Sequence, residues 1–312
     1  MRHTPFDGSA KPFAIGLRPL DPTLLIEVDE GLDEYLDEKD QLLANKSEAV
    51  FVARDDTRNA QREALDLIVG NLTTYHGNTH HFTTGSAKVG GRTVKLEADD
   101  DAPLKTAARL VQEDLVLMRH CGDGWRLVAA CLCFPSSWSL SEKFDRPLPD
   151  IHEPVPQFGR GTRMAQLIAR IFDQMQVCQP VERFNWSLQY NPARYHPAMH
   201  AKKVEREDGS AGDLTPSEVA QRVFMRIERQ TLCKLKESGD ILFTIRIYLD
   251  PLACLASHPK RAAIAAGFVN QIEALDEPQL YYKGLLADRD LMIRTLRELA
   301  VTAPAAREEL ET

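Results

Sequence analysis

One run of ten residues, Trp125 to Phe134, is almost unbroken in apolar side chains between Gly124 and Pro135, and it constrains the fold more than any other feature. It is far shorter than the ~20 residues of a membrane helix. Bounded by chain breakers, it suits a strand covered on both faces, and therefore a sheet with material packed above and below. Ile241 to Leu249, rich in β-branched and aromatic residues with Arg246 embedded, is the clearest further strand. Asn185 to Tyr190 alternates as a half-buried strand does, and Ala49 to Ala53 has the length of a short buried one.

Helical spacing surrounds these strands. Thr57 is placed to cap a helix carrying Ala64, Leu65, Ile68 and Leu72 and ending near Gly77. Leu104, Ala108, Val111, Leu115 and Met118 predict a second helix, with Gln112, Glu113 and Asp114 pointing outward. Met164, Leu167, Ile168, Ile171, Phe172 and Met175 mark a third between Gly161 and Val177. Thr215-Pro216-Ser217-Glu218 is a strong start signal: Thr caps, Pro suits the first turn, and Glu returns the cap hydrogen bond. The helix it opens is predicted to run to about Lys236, with Arg222, Arg226 and Arg229 on one stripe. Two more helices are expected around Lys260 to Ala274 and Asp288 to Ala300. The acidic stretch Asp29 to Asp40 reads as solvated exterior, and Tyr75 to Gly91 as loop. Strands separated by helices of varied length, without regular βαβ alternation, predict an α+β fold.

A net charge of −8 and a pI near 5.6 argue against nucleic-acid binding, which needs concentrated Lys and Arg. Met1 to Lys11 lacks the apolar core of a signal peptide, no stretch is long enough to span a membrane, and a cytoplasmic location is expected. Six scattered cysteines do not form a disulfide framework. Dinucleotide fingerprint, phosphate loop and serine-hydrolase elbow are all absent. Cys131 and Cys133 face the same way on a strand without a second pair at metal-ligand spacing, which leaves buried thiols as their reading. His76, His80 and His81 sit in a polar stretch, His196 and His200 beside prolines, and solvated imidazoles are expected at both places. His152, in Ile151-His152-Glu153-Pro154-Val155-Pro156, differs: apolar neighbours and two prolines predict a rigid, dry imidazole. Such a ring serves either as an axial iron ligand or as a core-edge histidine bonded to a backbone carbonyl.

Five motifs occur in order: Phe134-Pro135-Ser136-x-Trp138; Glu142-Lys143; Ile151-His152-x-Pro154-Val155-Pro156; Arg183-x-Asn185-Trp186; and Arg226-x-Glu228-Arg229-Gln230-Thr231-Leu232. Together they resemble the alpha subunit of haem-dependent oxidative N-demethylase. Gly16-Leu17-x-Pro19-Leu20, Gln112-Glu113-Asp114-Leu115, Leu242-Phe243-Thr244-Ile245-Arg246 and Lys283-Gly284 extend the likeness over nearly the whole chain. The family pattern has Gly where Asp145 stands and a small residue where Phe184 stands.

The resemblance implies a PAS-like antiparallel sheet with flanking and C-terminal helices. It implies a core at 49–250 holding haem b, between an N-terminal extension at 1–48 and a helical segment at 251–312. It further implies oxygen activation at iron to strip a methyl group from a small secondary amine such as dimethylamine, releasing formaldehyde. His152 becomes the expected axial donor. Arg226, Arg229 and Arg246 become candidates for the haem propionates, since guanidinium binds carboxylate through paired hydrogen bonds; the other reading pairs them with Glu228 or the acidic N-terminal region. Trp186 and Phe243 are expected to line the ring or the amine cavity, and Glu113 or Asp114 to hold the amine or accept a proton. Nothing in the sequence looks able to bind flavin, nicotinamide or an iron–sulfur cluster. Electrons are therefore expected from separate reductase subunits, with a folate-binding subunit taking up formaldehyde. A haem-binding PAS-like sensor, or a binding protein that has lost haem, are the alternatives.

Overall fold

The structure is a computed structural model that describes residues 1–97, 102–197 and 214–301. Its strands are β1 (Arg18–Pro19), β2 (Phe51–Ala53), β3 (His80–Thr83), β4 (Ser86–Val89), β5 (Arg92–Lys95), β6 (Asp114–Cys121), β7 (Gly124–Cys131), β8 (Val181–Gln189), β9 (Phe224–Lys234) and β10 (Ile241–Pro251). Seven of them form one antiparallel sheet in the order β1-β8-β9-β10-β6-β7-β2, and β3, β4 and β5 form a small second sheet. The fold is α+β, as the sequence pattern predicts.

The apolar run forms β7, and both of its faces are covered. Where Met118 pairs Leu127 but Leu117 pairs Ala129, Val128 is an extra residue, a bulge that reverses the alternation. Trp125 and Leu127 before it, and Ala130 and Leu132 after it, thereby reach the same core; Val128, Ala129 and Cys131 reach the other.

Helices occupy both sides. On one, α1 (Leu32–Asn45), α3 (Arg58–Tyr75) and α4 (Pro103–Ala108) bury leucines and alanines against the sheet. Beside them α8 (Pro216–Arg222), α9 (Arg261–Glu273) and α11 (Arg289–Val301) enclose a second core around Trp186, Met225 and Ile227. A short α2 (Ser47–Val50) leads into β2. Over the opposite face lie α5 (Leu140–Lys143), α6 (Leu148–Ile151) and α7 (Arg163–Gln174), all inserted between β7 and β8; α10 (Glu277–Tyr282) lies between α9 and α11.

Several expectations are corrected. The helix expected through Met118 stops at Ala108 and the chain re-enters as β6, because Leu115-Val116-Leu117-Met118 is a continuous apolar run, the pattern of a strand buried on both faces. Gln112, Glu113 and Asp114 are consequently fully buried instead of outward. The helix opened at Thr215 keeps its capping box but ends at Arg222, and β9 follows, pairing along its whole length with β10. The stripe of three arginines therefore does not exist. The stretch Tyr75 to Gly91 contains two strands, β3 and β4, and the acidic segment forms most of α1, whose Leu32, Tyr35, Leu36 and Lys39 face inward. The Ala49–Ala53 strand begins only at Phe51, after the short α2. Among the described residues no helix is long and apolar enough to cross a membrane. His200 lies outside the described residues.

Candidate functional site

Between the sheet and the inserted α5–α7 region lies a cavity of about 1110 Å³, at the upper end of small-molecule sites. Its floor follows from strand register. Arg183 pairs Gln230, Asn185 pairs Glu228, Phe243 pairs Leu232 and Val116, and Ile245 pairs Gln230, so alternate residues of four strands share one face. Val116, Met118, Leu127, Leu132, Phe243 and Ile245 make most of that floor apolar. Ile151, Phe158, Ile168 and Phe172 make the roof. Residues Arg2 to Ile15 supply a side wall.

Into this apolar space project a few polar groups. His152 follows directly on α6 and lines the cavity. Its ring lies 6.3 Å from that of Phe158, edge to face, and neither ring nitrogen has a hydrogen-bond partner among the described residues. Burial, then the nearby Lys143 and Arg183 charges, push the imidazole down to about 4, so it is neutral at physiological pH. The core-edge reading required a backbone carbonyl partner, and the ring has none among the described residues.

Several cations line the cavity, among them Arg183 and Lys143. Arg183 reaches Gln230 Oε1 at 3.1 Å and the Ala14 carbonyl at 3.4 Å, its Nε is buried without a partner, and no carboxylate pairs with it among the described residues. Burial lowers its guanidinium pKa. Lys143 sits 4.0 Å from the Trp138 ring centre, forms no ion pair among the described residues, and is pushed down to about 8 by burial. Buried cations without counter-ions are costly unless something anionic arrives. Tyr282 lines the same space, its hydroxyl raised to about 12 by burial and by the charge of Glu228. Sequence reasoning assigned no role to Arg183, Lys143 or Tyr282; the first two stood in the resemblance motifs, but only strand register shows that Arg183 faces a cavity.

The other candidates lie elsewhere. Arg226, fully buried, donates to the Phe134 carbonyl at 2.5 Å and the Arg194 carbonyl at 3.1 Å. Arg229 donates to Glu182 at 2.9 Å and to the Leu24 carbonyl at 2.6 Å. Arg246 donates to Asp29 at 2.7 Å and to the Ile247 carbonyl at 2.7 Å. For Arg246 this is the acidic N-terminal pairing, Arg226 lies 3.8 Å from Glu228, and Arg229 pairs instead with Glu182 on β8; none of the three arginines lines the cavity. Glu113 is buried away from it, accepting from the Glu27 amide, and burial raises its pKa. Asp114 accepts from the Cys133 and Phe134 amides, and burial raises it to about 6. Trp186 touches the cavity, yet its indole stacks edge-on to Phe268 and donates to Gln271 at 2.7 Å. Phe243 is on the floor, and His80 is buried, bonded to the Leu110 carbonyl.

The two departures from the family pattern have local accounts. Asp145 has φ +55°, a left-handed conformation natural to Gly and tolerated by Asp. Phe184 lies 4.7 Å from the His3 ring and beneath the Arg18 guanidinium, contacts that a small residue would forgo.

A sequence model of the family described as haem-dependent oxidative N-demethylase, alpha subunit-like, matches residues 16–293. The match takes in the floor, the roof and every polar group described above, whereas the wall from Arg2 to Ile15 precedes it. Because it spans most of the chain, the protein belongs to the haem-dependent oxidative N-demethylase, alpha subunit-like family.

Proposed function

We propose that the cavity holds haem b and that the chain is the haem-carrying subunit of an oxygen-dependent oxidative N-demethylase acting on a small secondary amine such as dimethylamine. The observation that carries this is the partnerless, neutral imidazole of His152 in one apolar cavity with two cations, Arg183 and Lys143, that have no carboxylate partners among the described residues. A haem asks for that set: one nitrogen donor, cations for its propionates, and apolar walls. Among the described residues no cluster of three or more His, Cys, Asp or Glu could hold a bare metal ion, but an iron already held by porphyrin needs only a single protein donor. The antiparallel sheet, with its helical insert folded over one face, supports the PAS-like reading of the architecture.

When bound, haem would supply the iron at which oxygen is reduced and an N-methyl group oxidised, with formaldehyde as the product. The chain's own groups have separable tasks. His152 would present its lone pair without first losing a proton. Arg183 and Lys143 would neutralise the propionates, which takes these two roles from Arg226, Arg229 and Arg246. Phe243 and the aliphatic floor would exclude water, Trp186 would hold the cavity's rim in place, and Glu113 is left as a structural acid. Electrons would come from separate flavin or iron–sulfur reductase subunits, with a folate-binding subunit accepting formaldehyde, all in the cytoplasm.

The test is a visible spectrum of the chain after haem supplementation, followed by formaldehyde assay with reductant, oxygen and dimethylamine. A Soret band, its shift in His152→Ala at equal haem loading, and formaldehyde release are expected. Bound haem without formaldehyde across a panel of amines would indicate a sensor; absence of a Soret band would remove the haem reading itself.

A further inference from the structure

We propose that Glu228, braced on the cavity floor by Asn185 and Gln230, is the carboxylate that receives the substrate's protonated amine. This rests on the N-demethylase reading and adds to it a recognition group for a cationic substrate.

Among the described residues the floor is otherwise apolar apart from Arg183, Asn185, Ser187 and Gln230, and Glu228 is its one carboxylate; the other acids of the cavity, Asp7, Glu142 and Asp150, come from its walls. Asp150 is already paired with Arg160 at 2.6 Å, and Asp7 and Glu142 are exposed. The two oxygens of Glu228 are unequal. Oε2 accepts from Gln230 Nε2 at 2.9 Å and Asn185 Nδ2 at 3.3 Å. Oε1 has no hydrogen bond among the described residues, and the nearest cation, Arg226 Nε, stands off at 3.8 Å. One oxygen is thus fixed while the other keeps its acceptor capacity, on a side chain 17% exposed.

An N–H of an alkylammonium ion satisfies that oxygen with a charge-assisted hydrogen bond. The Phe243 and Tyr282 rings lining the same space add aromatic faces that attract cations and accommodate methyl groups. Arg183 and Lys143 would repel an ammonium ion in the empty cavity. Propionates on those two cations remove the repulsion, so amine affinity should follow haem loading.

The experiment uses the haem-loaded full chain, titrated with dimethylammonium chloride and separately with its uncharged isostere dimethyl ether, followed by perturbation of the Soret band. The wild type is expected to bind the cation at least about tenfold more tightly, the scale of one charge-assisted hydrogen bond. Glu228→Gln keeps the bracing amides occupied, and it should abolish the preference without changing haem content; Glu228→Asp should restore part of it. A wild type that binds both molecules equally, or neither, overturns the assignment, as does a Gln variant that still prefers the cation. The wild-type comparison stands even if the variants fail to fold. A chain that takes up no haem overturns the N-demethylase reading instead, which keeps the two failures apart.

Discussion

His152 shows how one buried ring sets both a chemical role and a pH limit. Its pKa falls from 6.5 to about 4 on folding, so above pH 6.5 it costs the fold nothing. Between pH 6.5 and about 4 the unfolded chain binds a proton that the folded chain refuses, and stability is lost as pH falls, by up to about 3 kcal/mol at ~1.4 kcal/mol per unit. Urea midpoints of the haem-free protein should therefore drop more steeply over that window than those of His152→Gln; equal slopes would contradict the burial argument. The cations give a second expectation. Arg183→Ala and Lys143→Met should each speed haem loss to a scavenger globin about tenfold or more, since each removes one charge-assisted contact. Lys143, held at about 8, should also make haem capture by the empty protein weaken as pH rises through that value, an effect absent in Lys143→Met.

At the scale of elements, the paired strands β8 and β9 place one arginine on the cavity face and another inside the fold. Arg229 points away from the cavity and is the buried one of two arginines on Glu182, so Arg229→Ala leaves that carboxylate with only the exposed Arg18 and should cost about 2–3 kcal/mol in chemical denaturation. Arg183→Ala, by contrast, should cost little stability while weakening haem retention; the opposite pattern would exchange the two assignments. This distinction was not legible in the sequence. The spacing of Arg222, Arg226 and Arg229 fits a helix, and the Thr215 capping box is genuine, but a local cap says nothing about where a helix ends. What ends it is pairing with β10, a non-local event. The strands β7, β8 and β10 were legible because their apolar or alternating patterns have no helical competitor. His152 was legible through its prolines and apolar neighbours. Glu228 and Arg183 needed the register of two strands far apart in sequence, and no periodicity supplies that.

For the molecule as a whole, the segment from Arg2 to Ile15 packs against α9, far away in sequence. Phe6 is fully buried against Phe268, and Gln271 donates to the carbonyls of Pro5 and Ala10. The approach is close enough that a Cβ on Gly267 would lie 2.3 Å from the Asp7 carbonyl carbon. Gly267→Ala should thus lift the segment from α9, which limited proteolysis would detect as cleavage between residues 2 and 15 under conditions where the parent is intact.

This anchoring also imposes an order in time. On the ribosome Pro5 and Ala10 emerge long before their seat, since Gln271 does not exist until more than 250 further residues have been added. The contacts that close this side of the cavity can thus form only after every strand of the sheet has been made, the last of them ending at Pro251.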